Sequence, residues 1–390
     1  MPEAYIVAAA RTAGGRRGGA LRDWHPADMA AEVLDALIER SGLDPALVED
    51  VIMGCVGQAG EQAFHIGRNA VLASSLPTSV PAVTIDRQCG SSQQAVQFAA
   101  QAVMSGTQDV VIAAGVESMT RVPMGLPVTL PMQHGIGTGP FSKRIQDRFG
   151  VPMFSQFVGA EMIAEKYQFR KEELDAFALD SHRKAARATG AGAFDGEIVP
   201  LKVDADGNET LHIKDEGIRY DATLESIASV KLIKEGGKIT AANASQICDG
   251  ASGVVVVSER ALKEHNLTPL ARIVNLTVTG GDPVIMLEEV IPATRRALER
   301  SGMNIADIDL YEVNEAFAPV PLAWLREIGA DALRLNVNGG AIALGHPLGA
   351  SGTKLMTTLV HALKAQGKRY GLQTMCEGGG LANVTIVEAL

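Results

Sequence analysis

Ala36-Leu37-Ile38-Glu39-Arg40-Ser41-Gly42-Leu43 and Arg296-Ala297-Leu298-Glu299-Arg300-Ser301-Gly302-Met303 are two versions of one segment. Each reads as the last turns of a helix with one apolar face, closed by glycine. Each leads through acidic residues into an apolar, strand-like run, Val51-Ile52-Met53 or Leu310-Tyr311-Glu312-Val313. The echo continues downstream. Cys89 opens a small-residue turn and a helix expected from Gln93 to Met104, and His346 opens another, expected from Thr353 to Leu363. Val110-Val111-Ile112-Ala113-Ala114-Gly115 matches Gly371-Leu372-Gln373-Thr374-Met375-Cys376 as a buried strand. An offset that stays at about 260 residues marks a duplicated α/β domain, because strand–helix alternation of this kind builds layered sheets.

A different segment separates the copies. It begins with Pro123, Pro127 and Pro131 in irregular chain, then carries helix patterns from Phe157 to Tyr167 and from Lys171 to Thr189, and a polar stretch from Asp204 to Lys238. Ala251 to Val257 returns to a buried strand that should complete the first copy. The expected division is residues 1–118 plus 250–268, an inserted domain at 119–249, and 269–390. A long insertion with its own helices usually serves as a lid or a binding wall.

The bulk properties exclude several classes. A chain of 390 residues exceeds one ordinary core, and 46% hydrophobic with 21% charged residues suits a soluble globular protein. The net charge of −10, without a basic stripe, argues against nucleic acid. An anionic substrate would need a local basic patch against that sign. No stretch has the length of a membrane span. The N-terminus lacks a basic region and cleavage site, and Val387-Glu388-Ala389-Leu390 is no peroxisomal address, so a cytoplasmic location is expected. Cys55, Cys89, Cys248 and Cys376 form neither a disulfide framework nor a zinc spacing.

Three glycine-rich turns carry the chemistry. Cys89 lies in Arg87-Gln88-Cys89-Gly90-Ser91-Ser92, between a strand-like run and a helix, with Ser91 and Gln94 placed for a capping box. A thiol at a helix N-terminus is expected to have a lowered pKa. Taken alone, it is as readily a small buried hydrophobe. His346 precedes Pro347 and is framed by Gly339, Gly340, Gly345, Gly349 and Gly352, which places it in a turn where backbone is closely approached. An imidazole beside Cys89 would take its proton. Cys376 is followed by Glu377 and three glycines, whose N–H groups can face a developing oxyanion. Asn314, in Asn314-Glu315-Ala316-Phe317-Ala318, either orients a water or the histidine or caps a helix.

Together these motifs resemble the thiolase family, and the resemblance spans almost the whole chain. It implies the thiolase fold, with duplicated βαβαβαββ halves in an αβαβα layered arrangement and an inserted loop domain covering CoA. It implies Cys89 as the nucleophile that becomes the acyl-thioester and Cys376 as the acid/base at the acetyl α-carbon. His346 would activate Cys89 and, with a water held by Asn314, donate to the thioester oxygen. The N–H groups of Cys89 and Gly378 would form the oxyanion hole. Arg219, Ser226 and Ser245 would lie along CoA, and Met286 and Phe317 would border the acyl pocket. CoA and acyl-CoA are substrates; no metal or redox cofactor is implied, and a homodimer or homotetramer is expected. The implied reaction is thiolysis of a 3-ketoacyl-CoA, with condensation of two acetyl-CoA as the alternative direction. A non-catalytic acyl-CoA carrier is a further alternative, and Cys376 argues against a decarboxylating ketoacyl synthase.

This sequence departs from common members in its pocket walls. Gly90-Ser91-Ser92-Gln93-Gln94 replaces a Ser-Ser-Gly-Leu-Gln type run, Ser155-Gln156-Phe157 replaces a His-Met-Gly type triplet, and Met286-Leu287-Glu288-Glu289-Val290 replaces a Met-Gly-x-Gly-Pro run. A bulky or branched acyl chain is the expectation drawn from these changes.

Overall fold

In the computed structural model, which describes residues 2–390 apart from Asp206, the strands run β1 (Ala4–Thr12), β2 (Asp50–Gly54), β3 (Ala82–Ile85), β4 (Val110–Ser118), β5 (Cys248–Ser258), β6 (Ala271–Gly280), β7 (Leu310–Val313), β8 (Tyr370–Glu377) and β9 (Leu381–Ala389). They form one mixed sheet in the order β7-β8-β9-β6-β1-β5-β4-β2-β3. The order is a repeat written outward from its centre. In the first half β1–β5 and β5–β4 are antiparallel while β4–β2 and β2–β3 are parallel. In the second half β6–β9 and β9–β8 are antiparallel, β8–β7 is parallel, and a parallel bridge from Tyr311 to Leu335 stands where the first half has β3. The halves join through β1 and β6, antiparallel, at Tyr5↔Arg272 and Ile6↔Ala271.

The bulges repeat as well. Register shifts fall between Ile6 and Ala8 in β1 and between Ile273 and Asn275 in β6. The first has a visible effect on packing: Tyr5 and Val7 face the outer core, and after the shift Ala8 and Ala10 face it, while Ile6 and Ala9 face the centre.

Five layers follow. Helices α1 (Pro26–Ser41) and α2 (Ile66–Ala73) cover the outer face of the first half. Helix α3 (Ser91–Ser105) lies at the centre. In the insertion, α4 (Gln156–Lys166) and α5 (Lys171–Gly190) match the two expected helices within a residue or two. Helices α6 (Val290–Ser301) and α7 (Pro319–Ile328) cover the outer face of the second half, and α8 (Ser351–Gln366) packs beside α3. The central core takes Ala95, Val96 and Ala99 from α3, Met356, Leu359 and Val360 from α8, and strand residues from both halves. The two echoed segments end alike: Gly42 (φ 69°) and Gly302 (φ 68°) take the left-handed conformation that terminates α1 and α6.

α3 and α8 begin two residues before the expected starts, at Ser91 and Ser351. Their N-termini touch. A Cβ on Gly352 would lie 2.0 Å from the Gln93 nitrogen, and one on Gly115 would lie 2.3 Å from the Gly349 oxygen. The unusual Gln93 is fully buried, and its amide donates to the Gln373 carbonyl (3.2 Å) and Thr385 Oγ1 (3.1 Å) in the opposite half. Duplication therefore brings the first turn of each central helix, with the residues just before it, to one place.

Candidate active site

The Cys89 turn is built by hydrogen bonds local to it. Asp86 Oδ1 accepts from the Gln88 N–H at 2.6 Å, and Gln88 takes φ 49°. Ser91 Oγ accepts from the Arg87 N–H at 2.9 Å and donates to the Gln88 carbonyl at 2.6 Å. The expected capping box therefore does not form; Gly90 is the N-cap of α3, with no side-chain cap, because the Ser91 hydroxyl serves the turn. Cys89 is nearly buried, and its own N–H and that of Gly378 hydrogen-bond its sulfur. Burial and the neighbouring Glu377 carboxyl nevertheless push the thiol up to about 12. This corrects the expected lowering: a helix end is worth about 1 kcal/mol or less, and desolvation of a buried thiolate exceeds it.

His346 is buried, not a surface histidine. Its backbone N–H donates to the Gln246 carbonyl at 3.0 Å. Nδ1 meets Ser351 Oγ at 2.5 Å, and that hydroxyl donates onward to the Pro347 carbonyl at 2.9 Å. A serine whose proton is so used accepts from Nδ1–H, which leaves the lone pair on Nε2. Burial, then the Lys354 charge, hold the imidazole down at about 3, so it is neutral. Asn314 Nδ2 lies 3.4 Å from Nε2, and Asn314 Oδ1 is buried without a protein partner. Asn314 caps no helix; its N–H donates to the Thr374 carbonyl, and α7 starts only at Pro319.

Cys376 is fully buried at the end of β8, and its thiol is pushed up by burial, then by Cys89 and Glu377. Glu377 is fully buried too, and neither carboxyl oxygen has a hydrogen-bond partner. It packs so closely on Gly90 that a Cβ there would lie 2.0 Å from Oε1.

Cys89, His346 and Gly378 line one cavity of about 490 Å³. Phe157, Leu287, Phe317 and Met124 form apolar parts of its wall, and the Phe157 and Phe317 rings meet edge to face at 5.4 Å. Arg16, Arg17 and Arg219 line it as well, the local basic group that an anionic substrate requires. Ser245 lines it also. Met286 is buried next to it, but Leu287 is the residue that reaches the cavity. Ser226 stands away from it, exposed on the short helix Leu224–Ala228 and hydrogen-bonded to Thr223. Ser351, Gln246 and the Arg16-Arg17 pair were not singled out from sequence, whereas Leu287 lies in one of the altered wall segments. The basic pair and the serine inside the His346 glycine run were the available signals. A larger cleft, of about 610 Å³, lies at Lys166, Glu288, Arg295 and Glu327. Its charges are paired with one another, and it holds none of the reactive side chains. Among the described residues no group of three or more His, Cys, Asp or Glu is arranged to hold a metal ion.

Comparison with known proteins gives the same picture at full length. Residues 4–260 match the family described as thiolase, N-terminal domain, and residues 267–389 match thiolase, C-terminal domain. A steroid 3-ketoacyl-CoA thiolase of Mycobacterium tuberculosis is 52% identical over 392 residues, covering 100% of this chain and 95% of the relative. A beta-ketoadipyl-CoA thiolase of Pseudomonas putida is 40% identical, with 100% of both chains covered. Among solved structures, human mitochondrial 3-ketoacyl-CoA thiolase superposes with a TM-score of 0.90 at 36% identity, covering 100% of this chain and 99% of that one.

Proposed function

The chain belongs to the thiolase family, and from that premise we propose how its residues divide the thiolytic cleavage of a 3-ketoacyl-CoA. The enzyme is an acyltransferase: CoA and a 3-ketoacyl-CoA give acetyl-CoA and an acyl-CoA shortened by two carbons. The observation that carries the assignment is the convergence of Cys89, His346 and Gly378 on one cavity, with Cys376 buried against Cys89.

In the proposed sequence, His346 Nε2 takes the Cys89 proton as the sulfur attacks the 3-keto carbon. The resting thiol and neutral imidazole suit this, because the thiolate is needed only when substrate is in place. The N–H groups of Cys89 and Gly378 stabilise the oxyanion. The C2–C3 bond breaks, Cys376 gives its proton to the departing α-carbon, and acetyl-CoA leaves. A second CoA thiol, deprotonated by Cys376, attacks the acyl-Cys89 thioester and releases the shortened acyl-CoA, while the departing Cys89 thiolate takes back its proton from His346. His346, with a water on Asn314 Oδ1, faces the thioester oxygen of bound CoA. Condensation is the same path reversed.

Residues 119–249 are proposed to cover CoA, with Arg219, Arg16 and Arg17 toward its phosphates, Ser245 along its pantetheine arm and Ser226 at the outer end of the nucleotide. Phe317, Phe157 and Leu287, with Met286 behind, border the acyl group. The relative named for steroid substrates, together with the altered wall segments, supports a bulky or branched acyl chain. A homodimer across β3 is also proposed. β3 is a terminal strand of the sheet, Val83 on it is 41% exposed, and nearby Phe64 is 94% exposed. The four free thiols suit a reducing cytoplasm.

Turnover of CoA with 3-ketoacyl-CoAs of graded size tests the assignment. Intact-mass detection of an acyl-enzyme that disappears in Cys89→Ala is expected. A folded wild-type protein that turns over none of them rejects it. Equal or better kcat/KM for acetoacetyl-CoA than for every larger substrate rejects the bulky-chain part alone.

A further inference from the structure

Lys354 is a lysine with almost no access to water, 5% exposed, in the first turn of α8. Its Nζ donates to the Leu344 carbonyl at 2.5 Å and reaches that of Gly345 at 3.4 Å. These carbonyls end the short helix Ala341–Leu344 directly before His346, where orphan acceptors need a donor. Asp215 Oδ1 lies 3.7 Å from the same Nζ. Asp215 also takes both ends of the buried Arg11 guanidinium, at 2.9 and 3.1 Å, and the Gly14 N–H at 2.8 Å.

Asp215 heads the segment that ends in Arg219. A second bridge joins that segment to the histidine turn. Gln246 Nε2 donates to the Gly217 carbonyl at 2.8 Å and to that of Ile342 at 2.7 Å, while the Gln246 carbonyl receives the His346 N–H. A Cβ on Gly217 would lie 2.5 Å from the Ala343 oxygen, so the two strips of backbone are in contact.

We propose that Lys354 is a positioning residue of the thiolase reaction, fixing the His346 turn to the Asp215-to-Arg219 segment so that the imidazole and the CoA-facing wall are set as one body. The proposal rests on the thiolase assignment above. Lys354 also acts through its charge. The groups around His346 are the thiols of Cys89 in the shared cavity and of Cys248 against Gly345, then Lys354, with Asp215 and Arg11 behind it. Glu377 and Asp86 flank Cys89 on its far side, and Arg16, Arg17 and Arg219 also line the cavity. Of these, Lys354 is the cation that disfavours imidazolium.

The test uses the full chain labelled with 13C-histidine, the His346 resonance being assigned by its loss in His346→Gln. Followed from about pH 2.5 to 7, the wild-type imidazole charges only at the acid end, near 3, and in Lys354→Met it titrates about one unit or more higher. Lys354→Arg, which keeps the charge with a different reach, keeps the wild-type titration. In acetoacetyl-CoA thiolysis Lys354→Met loses about tenfold in kcat, its acid limb moves to higher pH, and KM for CoA rises; Lys354→Arg restores the acid limb. Identical His346 titration in wild type and a folded Lys354→Met overturns the proposal whatever the activity. If Lys354→Met does not fold, an acid limb displaced in Lys354→Arg overturns it. A wild-type chain without turnover would reject the thiolase assignment, while the resonance would still decide the role of Lys354.

Discussion

The turn at Cys89 and the turn at His346 lead into α3 and α8, the matching central helices of the two halves, and have opposite chemistries. At Cys89 the backbone does the work: two N–H groups meet the sulfur, and the Ser91 hydroxyl is consumed in holding the turn. At His346 a side chain does it: the Ser351 hydroxyl grips Nδ1 and leaves Nε2 free to accept. A shared scaffold thus supplies a turn that presents N–H groups in one copy and a turn that presents an imidazole lone pair in the other. The position the two turns share is the serine that opens each helix, Ser91 or Ser351, and what differs is the chain before it, short at Cys89 and longer at His346.

The sharpest break in that comparison is removal of the proposed nucleophile. Cys89→Ala is expected to lower thiolysis by about 10⁴-fold or more, measured as kcat with acetoacetyl-CoA, and to eliminate the acyl-enzyme mass. The contact between the turns is tested next by Gly352→Ala. Its added carbon meets the Gln93 backbone, not a flexible side chain, so a loss of about 3 kcal/mol in urea unfolding is expected. A mild phenotype there would mean that the turns can separate.

The resting protonation of the two turns sets a smaller effect. The Cys89 thiol is raised to about 12 and His346 lowered to about 3, so thiol and imidazole are both neutral at pH 7. Thiolate grows as pH approaches the thiol value from below. Alkylation of Cys89 by iodoacetamide, followed by peptide mass, should therefore be slow at neutral pH and rise about tenfold per unit above it. A plateau already at pH 7 would reveal a thiolate–imidazolium pair instead.

A large part of this arrangement was legible in the sequence. The echo of Glu39-Arg40-Ser41-Gly42 in Glu299-Arg300-Ser301-Gly302 announced the duplication, because a glycine closing a helix leaves a local signature. The three turns that meet at the cavity were legible for the same reason, each being glycine-rich. What stayed hidden depends on distant partners. Nothing local tells that Glu377 lands on Gly90, that burial outweighs the helix end at Cys89, or that Leu287 replaces Met286 at the cavity wall. The Ser91–Gln94 capping pattern failed because the Ser91 hydroxyl is used inside the preceding turn, by the Arg87 N–H and the Gln88 carbonyl.

Glu377 gives the smallest predicted effect. Its carboxyl is raised well above the ordinary range by burial, so the folded state holds a proton that the unfolded chain releases near its usual value. Stability contributed by this group is present below the unfolded value and declines as pH rises toward the folded one. Glu377→Gln removes that decline and should raise Tm at pH 8 by about 2–4 °C, with little change at pH 4. An equal change at both pH values would show that the carboxyl is ionised in the fold.

The touching glycines at the heart of the molecule also set terms for the protein engineer. With no room for even a methyl group between Gly352 and Gln93, or between Gly115 and Gly349, the reaction centre tolerates little redesign. The wall proposed to face the acyl group stands apart from this contact, with Phe157 on α4 and Leu287 just before α6. Retargeting to a new acyl group is therefore a matter of redrawing that wall and leaving the anvil beneath it untouched.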